Sequence, residues 1–396
     1  MMSSKTQTLE IAVPASQSVI FYLLCAGFVL NGIVICFIGP ILPVFMTKWG
    51  LDDGRAGLFS LVQFSGSLAG VLASSALVSN KGFKPAITLG LVLMGFGFAL
   101  LNAPTFTLAL LASGIYGLGY GLATPGTNLW VGESYKERRA SVLSLLNLAW
   151  GVGAISSSPL ALLSVHTSRV TLLLYLIGAA CIVLALVLLR MPFGKPSHEE
   201  STAPAAEKGK AAGTGVAALL GILFFVYVGT EVGTSYWAPA HAQRATAWST
   251  NAWTLAPMFF FAGLLGGRAA AAAILLHLRE GTVAVGGVLL AATGELVFLS
   301  AHSPARLFSG AFLAGLGCAS LFPIFVAWLS KWFGVRARKI GGVMFAMSAL
   351  GSALMPPLVG VVSRYAGSLR VGLLVPLAGC AVMFTVIGLL RPGTRG

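Results

Sequence analysis

Twelve mostly apolar stretches recur from one end of this chain to the other, and no other feature constrains its fold as strongly. A helix needs about 20 such residues to cross the hydrocarbon core of a bilayer. The first six run over approximately 19–45, 55–79, 85–103, 105–131, 139–163 and 170–191, and the second six over 216–239, 249–277, 282–301, 305–330, 340–363 and 370–390. In hydrocarbon a spanning segment must satisfy its backbone hydrogen bonds internally, so stretches of this kind are helices. The expectation is an all-α membrane protein with twelve transmembrane helices in two six-helix bundles. An amino-terminal bundle occupies 1–191, a cytoplasmic linker 192–213 and a carboxy-terminal bundle 214–396.

Composition agrees. Charged residues make up 9% of the chain and apolar residues 57%, against about 25% charged in a soluble domain. The net charge of +14 would suggest nucleic acid in a soluble protein, but the bases sort by side. With the amino terminus in the cytoplasm, seventeen Lys and Arg fall on the cytoplasmic face and seven on the opposite one. The seven are Lys48, Arg55, Arg169, Arg244, Arg306, Arg364 and Arg370. This positive-inside bias orients the protein in a cell inner membrane with both termini cytoplasmic. It makes the lipid bilayer, not nucleic acid, the expected partner. The first apolar run passes through Gly39, Pro40 and Pro43 and is too long for a signal peptide, so it reads as a retained span. The linker mixes Lys195, Glu199, Glu200, Glu207 and Lys208 with Ala, Pro, Ser and Gly, a composition that stays solvated. Five cysteines lie inside apolar stretches with no metal-ligand spacing, so neither a metal nor a cofactor is expected.

A shift of 198 residues superimposes the fourth and fifth spans on the tenth and eleventh without a gap. Gly117, Leu118 and Gly119 match Gly315, Leu316 and Gly317, and Pro125, Trp130, Arg138, Gly153 and Pro159 match Pro323, Trp328, Arg336, Gly351 and Pro357. Parallel repeats of six spans joined by a polar linker are the arrangement of major facilitator transporters.

The seventh span carries Tyr227-Val228-Gly229-Thr230-Glu231-Val232 and then Trp237. This string resembles the fucose/proton symporter group of the major facilitator superfamily, which also takes in glucose uptake carriers. Gly117–Asn128, Asn147–Gly153 and Phe345–Pro356 look similar too. The resemblance implies a twelve-helix carrier with the seventh-span Glu at the substrate site. The chain departs from the pattern in its loop Ser75–Lys84, which has no acid, and in carrying Asn31 and Asn128 where sugar–proton members often have carboxylates.

Ionisable groups inside hydrocarbon are costly and are functional candidates by default. Here they are Glu231, Arg268 and Glu295, with Glu133 at a membrane edge. Helical spacing places Tyr227, Glu231, Thr234 and Ser235 on one face of the seventh span and Gly229, Gly233 and Trp237 on another. A carboxyl group at a cavity can meet a substrate hydroxyl or exchange a proton. The structural alternative is an ion pair with Arg268. Glu231, Arg268 and Glu295 are the proton-coupling candidates, although the ninth-span position of Glu295 favours a structural or snorkelling role. An uncharged polyol needs hydrogen-bonding groups and apolar faces. Asn31, Gln63, Tyr120, Thr124, Asn128, Asn147, Tyr227 and Glu231 would supply the first, and Trp150, Trp237 and Trp253 the second. The bland alternative is that Asn and Gln hold helices together while Trp marks the interface. Glu133, Arg138 and Arg139, with Lys331 and Arg336 in the second half, read as gate charges or as plain positive-inside topology.

The sequence reading is a secondary active carrier, not an enzyme, that moves a small neutral solute by alternating access. A monosaccharide in symport with a proton is preferred, and sodium is the alternative ion. A drug or metabolite efflux transporter is the rival, since Gly151–Pro159 faintly resembles an antiporter signature. A non-transporting membrane sensor is the rival of another class. Five histidines sit in loops or at span ends, with no Walker loop, H-E-x-x-H or G-x-S-x-G string, which argues against an ATP-driven pump or a hydrolase. The carrier is expected to be a monomer.

Overall fold

A computed structural model describes residues 15–193, 213–248 and 250–390. The predicted linker lies almost wholly outside the described residues, as do Lys5, Lys195, Lys208, Lys210, Arg391 and Arg395 of the topology count. The described residues form helices and turns only. Twelve helical segments are long and apolar enough to span a membrane: α1 Gln17–Trp49, α2 Asp53–Lys81, α3 Phe83–Asn102, α4 Phe106–Ser134, α5 Ser141–His166, α6 Val170–Arg190, α7 Thr214–Ala245, α8 Ala252–Ala271, α9 Glu280–Leu299, α10 Pro304–Phe333, α11 Ile340–Ala366 and α12 Leu369–Leu390. Large apolar side chains such as Leu72, Leu111, Leu163 and Leu176 point outward and exposed, as a lipid-facing surface requires. The helix of α7 runs past its predicted end at 239, because Pro239 forgoes one hydrogen bond without stopping it. That extension carries Arg244 to the membrane edge.

Two spans are interrupted away from their ends, while α2 and α12 break only after their first turn, at Gly57 and Leu373. In α1 the helix Ala15–Cys36 gives way at Phe37 to Ile38–Trp49. Pro40 has no N–H to offer the Cys36 carbonyl, and the Gln63 side chain donates to the neighbouring Ile35 carbonyl at 3.1 Å. In α10 the helix Pro304–Cys318 breaks before Leu321–Phe333, where Pro323 likewise removes a donor. Non-helical backbone at membrane depth is tolerated where protein or a cavity surrounds it, and both breaks border the cavities described below.

Packing within the two halves follows one pattern. α1 packs on α5, α2 on α4, and α3 on α4 and α6; α7 packs on α11, α8 on α10, and α9 on α10 and α12. Each contact in the first half thus has its counterpart six spans later. The repeated glycines explain why. A Cβ at Gly153 would lie 2.0 Å from the Val29 carbonyl oxygen, and one at Gly351 would lie 2.1 Å from that of Phe225. At Gly117 and Gly315 the corresponding distances, to the Gln63 and Phe260 carbonyls, are 2.0 and 1.9 Å. Small residues let helix backbones touch where lipid offers no hydrophobic drive for association.

Gly153→Ala and Gly351→Ala would each push a methyl group into a backbone oxygen, and overpacking of this kind costs ~1–3 kcal/mol. Both are expected to lower the thermal-unfolding midpoint of the detergent-solubilised chain. Gly286→Ala, where the added Cβ meets open space, should leave it unchanged. Unaltered midpoints for both crossing variants would show that these glycines do not set the helix contacts.

Candidate functional site

The halves are tied together at one end by hydrogen bonds and ion pairs. Successive spans alternate in direction, so the carboxyl ends of α1, α7 and α11 and the amino end of α2 share a face. There Tyr236 donates to the Ala56 carbonyl at 2.7 Å and Ser60 to the Ser352 carbonyl at 3.1 Å. Arg244 grips Asp53 bidentately, at 2.9 Å to Oδ2 and 2.7 Å to Oδ1, and Ser363 donates to the same carboxylate. Arg364 lies 3.6 Å from Asp52. Gly57 abuts Pro357, and Gly39 abuts the Ser235–Tyr236 backbone. Charge-assisted, bidentate contacts of this type are the strong ones, and Asp53 is nearly buried at 11% exposure.

Beneath this closed end lies an inner chamber of about 180 Å³. Gln63, Tyr120, Glu231, Ser235 and Ser352 give it hydrogen-bonding groups, and Trp150, Phe64 and Phe261 give it aromatic walls. Its floor is the interrupted stretch of α1, through Ile35, Cys36 and Gly39. Trp150 and Phe261 meet edge to face, 6.4 Å between centroids, across the two halves. Below them, sharing Tyr120 and Trp150, a vestibule of about 1130 Å³ opens toward the opposite face, with Thr124, Asn128, Asn147, Arg268 and Pro323 in its wall.

Glu231 accepts a 2.6 Å hydrogen bond from the Tyr227 hydroxyl on its own helix. Arg268 comes within electrostatic reach of both Tyr227 and Glu231, yet no contact ion pair joins it to Glu231 among the described residues. Its Nε is buried without a hydrogen-bond partner. The arrangement is therefore a carboxyl group in the chamber and a guanidinium in the vestibule, with a buried phenol behind the carboxyl and the guanidinium Nε left without a partner.

The predicted site residues divide. Gln63, Tyr120, Trp150 and Glu231 reach the inner chamber, and Thr124, Asn128, Asn147 and Arg268 the vestibule. Tyr227 is buried behind Glu231. Asn31 is buried too, with its amide 3.4 Å from the Thr124 hydroxyl, and its small void is separate from the chamber. Two aromatic expectations need correction. Trp237 is fully buried and donates to the Pro356 carbonyl at 2.8 Å, a packing role within its own half. Trp253 lines a different pocket with His166, Thr246 and Trp248. Snorkelling of Glu295 is corrected as well, since it is 1% exposed. The expected polar face of α7 is split, because Thr234 donates to Glu295 and points away from the chamber. Of the expected gate charges, Arg138, Arg139, Lys331 and Arg336 are exposed and Glu133 half-buried, all at the open end. The charges that bridge the halves are Asp52, Asp53, Arg244 and Arg364, of which only the two arginines enter the sequence analysis, in the positive-inside count. Their signal was an acidic pair at the start of the second span with arginines at the ends of the seventh and eleventh.

Two packed halves around a chamber open at one end define a membrane transporter, not an enzyme. The chain belongs to the Major Facilitator Superfamily, whose family model matches residues 24–302. Among curated proteins none matches the sequence. Solved structures share the fold. A bacterial homologue of the human lysosomal transporter Spinster, inward-facing and occupied, aligns with a TM-score of 0.80 at 14% identity, covering 94% of this chain and 96% of that one. The Escherichia coli fucose:proton symporter FucP gives 0.62 at 18%, covering 94% and 99%. The nucleoside transporter NupG gives 0.73 at 12%, covering 93% and 98%.

Asp53→Asn removes the charge that Arg244 grips. It is expected to raise amide hydrogen exchange several-fold in the segments around 52–57 and 240–246, read by mass spectrometry, while leaving α3 and α6 unchanged. Identical exchange in the variant and the parent would mean that this pair does not hold the end shut.

Proposed function

We propose that the chain is a secondary active carrier for a small neutral solute, a monosaccharide, moved together with a proton by alternating access. The inner chamber carries this reading. At about 180 Å³ it is smaller than the ~300–1,000 Å³ of drug-sized pockets, which favours a small solute over a lipophilic drug. Hydroxyl and amide groups alternate in it with aromatic faces, the combination an uncharged ring bearing hydroxyls requires. Both halves contribute, Gln63, Tyr120 and Trp150 from one and Glu231, Ser235 and Phe261 from the other. A solute seated there would be handed between faces as the halves rock.

Glu231 is the group assigned to coupling. A carboxyl that is partly withdrawn from water and faces a solute cavity is suited to exchange a proton with either side. FucP, named as a fucose:proton symporter, supports the pairing of sugar and proton in this fold. The positive-inside bias supports a cytoplasmic position for the vestibule mouth, and with it an inward-open reading of this conformation.

The test is uptake of a panel of labelled monosaccharides into proteoliposomes with and without an imposed pH gradient. One sugar is expected to accumulate only with the gradient. Glu231→Gln should abolish that accumulation, whereas full accumulation by Glu231→Gln with unchanged pH dependence would remove Glu231 from the mechanism. Uptake that is indifferent to the gradient would overturn symport.

A further inference from the structure

Glu295 sits in the middle of the second half, on α9, away from both cavities. It is 1% exposed. The Thr234 hydroxyl of α7 donates to its Oε1, and Oε2 is buried with no hydrogen-bond partner. Among the described residues no cation lies within ion-pair distance. Titratable groups near it are the thiols of Cys380 on α12 and Cys318 on α10, both within its electrostatic reach, and the buried imidazole of His241 on α7, which packs against Phe298 one turn further along α9 with its Nε2 3.2 Å from the Phe298 carbonyl oxygen. Cys318 in turn is within reach of Glu231 of α7 and Arg268 of α8. A carboxylate here would be an unpaired buried charge, which costs several kcal/mol or more even after relaxation. A carboxylic acid would leave only one hydroxyl without an acceptor, the smaller penalty.

We propose that Glu295 is a second proton-binding site, occupied in this conformation by a proton on Oε2 and out of contact with the transported solute. α7 joins it to the cavity. The same helix presents Glu231 to the chamber, Thr234 to Glu295, and Tyr236 and Arg244 to the closed end. Unlike the close crossings of α7 on α11 and of α8 on α10, α7 and α9 have no extensive backbone contact with each other, so release of the closed end lets α7 shift against α9 and draws away the hydroxyl that holds Oε1, and the acid can exchange its proton only when the halves rearrange. The inference extends the proton-coupled reading above, but its test requires no solute.

Infrared spectroscopy of the purified full-length chain reads the acid directly. A protonated-carboxyl C=O band is expected at neutral pH, lost in Glu295→Gln and retained in Glu231→Gln. Thr234→Val, which removes one hydrogen bond while keeping the carboxyl, should shift the band without abolishing it. It also serves if Glu295→Gln proves too unstable to purify. On transfer to heavy water the band should shift slowly in the parent and several-fold faster in Asp53→Asn, where the closed end is loosened. Absence of a band assignable to Glu295, a band insensitive to Thr234→Val, or equal exchange rates in parent and Asp53→Asn would each overturn the proposal. A failed sugar panel with this band intact would count against the solute assignment alone.

Discussion

A bilayer core supplies no hydrogen bonds, so each polar group in the spans must be answered by the protein or face a water-filled cavity. Most of this structure follows from how that requirement is met. Proline opens α1 in the membrane, and the exposed carbonyl of Ile35 is taken by Gln63, which also accepts from Tyr116. Buried serines and threonines bond back to carbonyls of their own helices, as Ser157 does to Ala154 and Thr127 to Ala123. Arg268 Nε and Glu295 Oε2 are among the buried polar atoms left without a partner, and with Glu231 they lie along the path on which solute or protons are proposed to travel.

Two kinds of contact divide the molecule mechanically. Inside each half the helices cross with backbone against backbone, at Gly117, Gly153, Gly315 and Gly351. Such crossings have no slack, because close-packed interiors transmit displacement and do not absorb it. Between the halves a few close glycine contacts also occur, Gly57 with Pro357 and Gly360 with the Asp53 carbonyl, but they are accompanied at the same end by side-chain hydrogen bonds and an ion pair, Tyr236 to Ala56, Ser60 to Ser352 and Arg244 to Asp53. Contacts of that kind can be exchanged for water at modest net cost. Stiff halves joined by a replaceable seam are what rigid-body rocking needs.

Much of this was legible in the sequence. Hydrophobic runs of spanning length located all twelve helices, and the 198-residue repeat picked out Gly117, Gly153 and their partners before any contact was known. The resemblance of the seventh-span string implied a cavity position for Glu231, and Glu231 lines the chamber. What the sequence hid depends on rotation about each helix and on which half approaches which. Thr234 and Glu231 share a helix face by spacing, yet a modest turn of α7 sends one to Glu295 and the other to the chamber. Trp237 and Trp253 carry suitable rings, but their placement at the closed end turns one into packing and the other to a separate pocket. The seam of Asp52, Asp53, Arg244 and Arg364 joins residues up to 312 positions apart, and no local pattern encodes such a pairing.

The central claim is that the seam at the closed end must part for a solute to cross. It is tested most directly by replacing Asp53 and Arg244 with cysteines and bridging them with a short, cleavable bifunctional thiol reagent in proteoliposomes. Bridging is expected to abolish uptake of the transported sugar, and cleavage of the bridge to restore it. Uptake at the unbridged rate with the bridge in place would contradict alternating access through this seam.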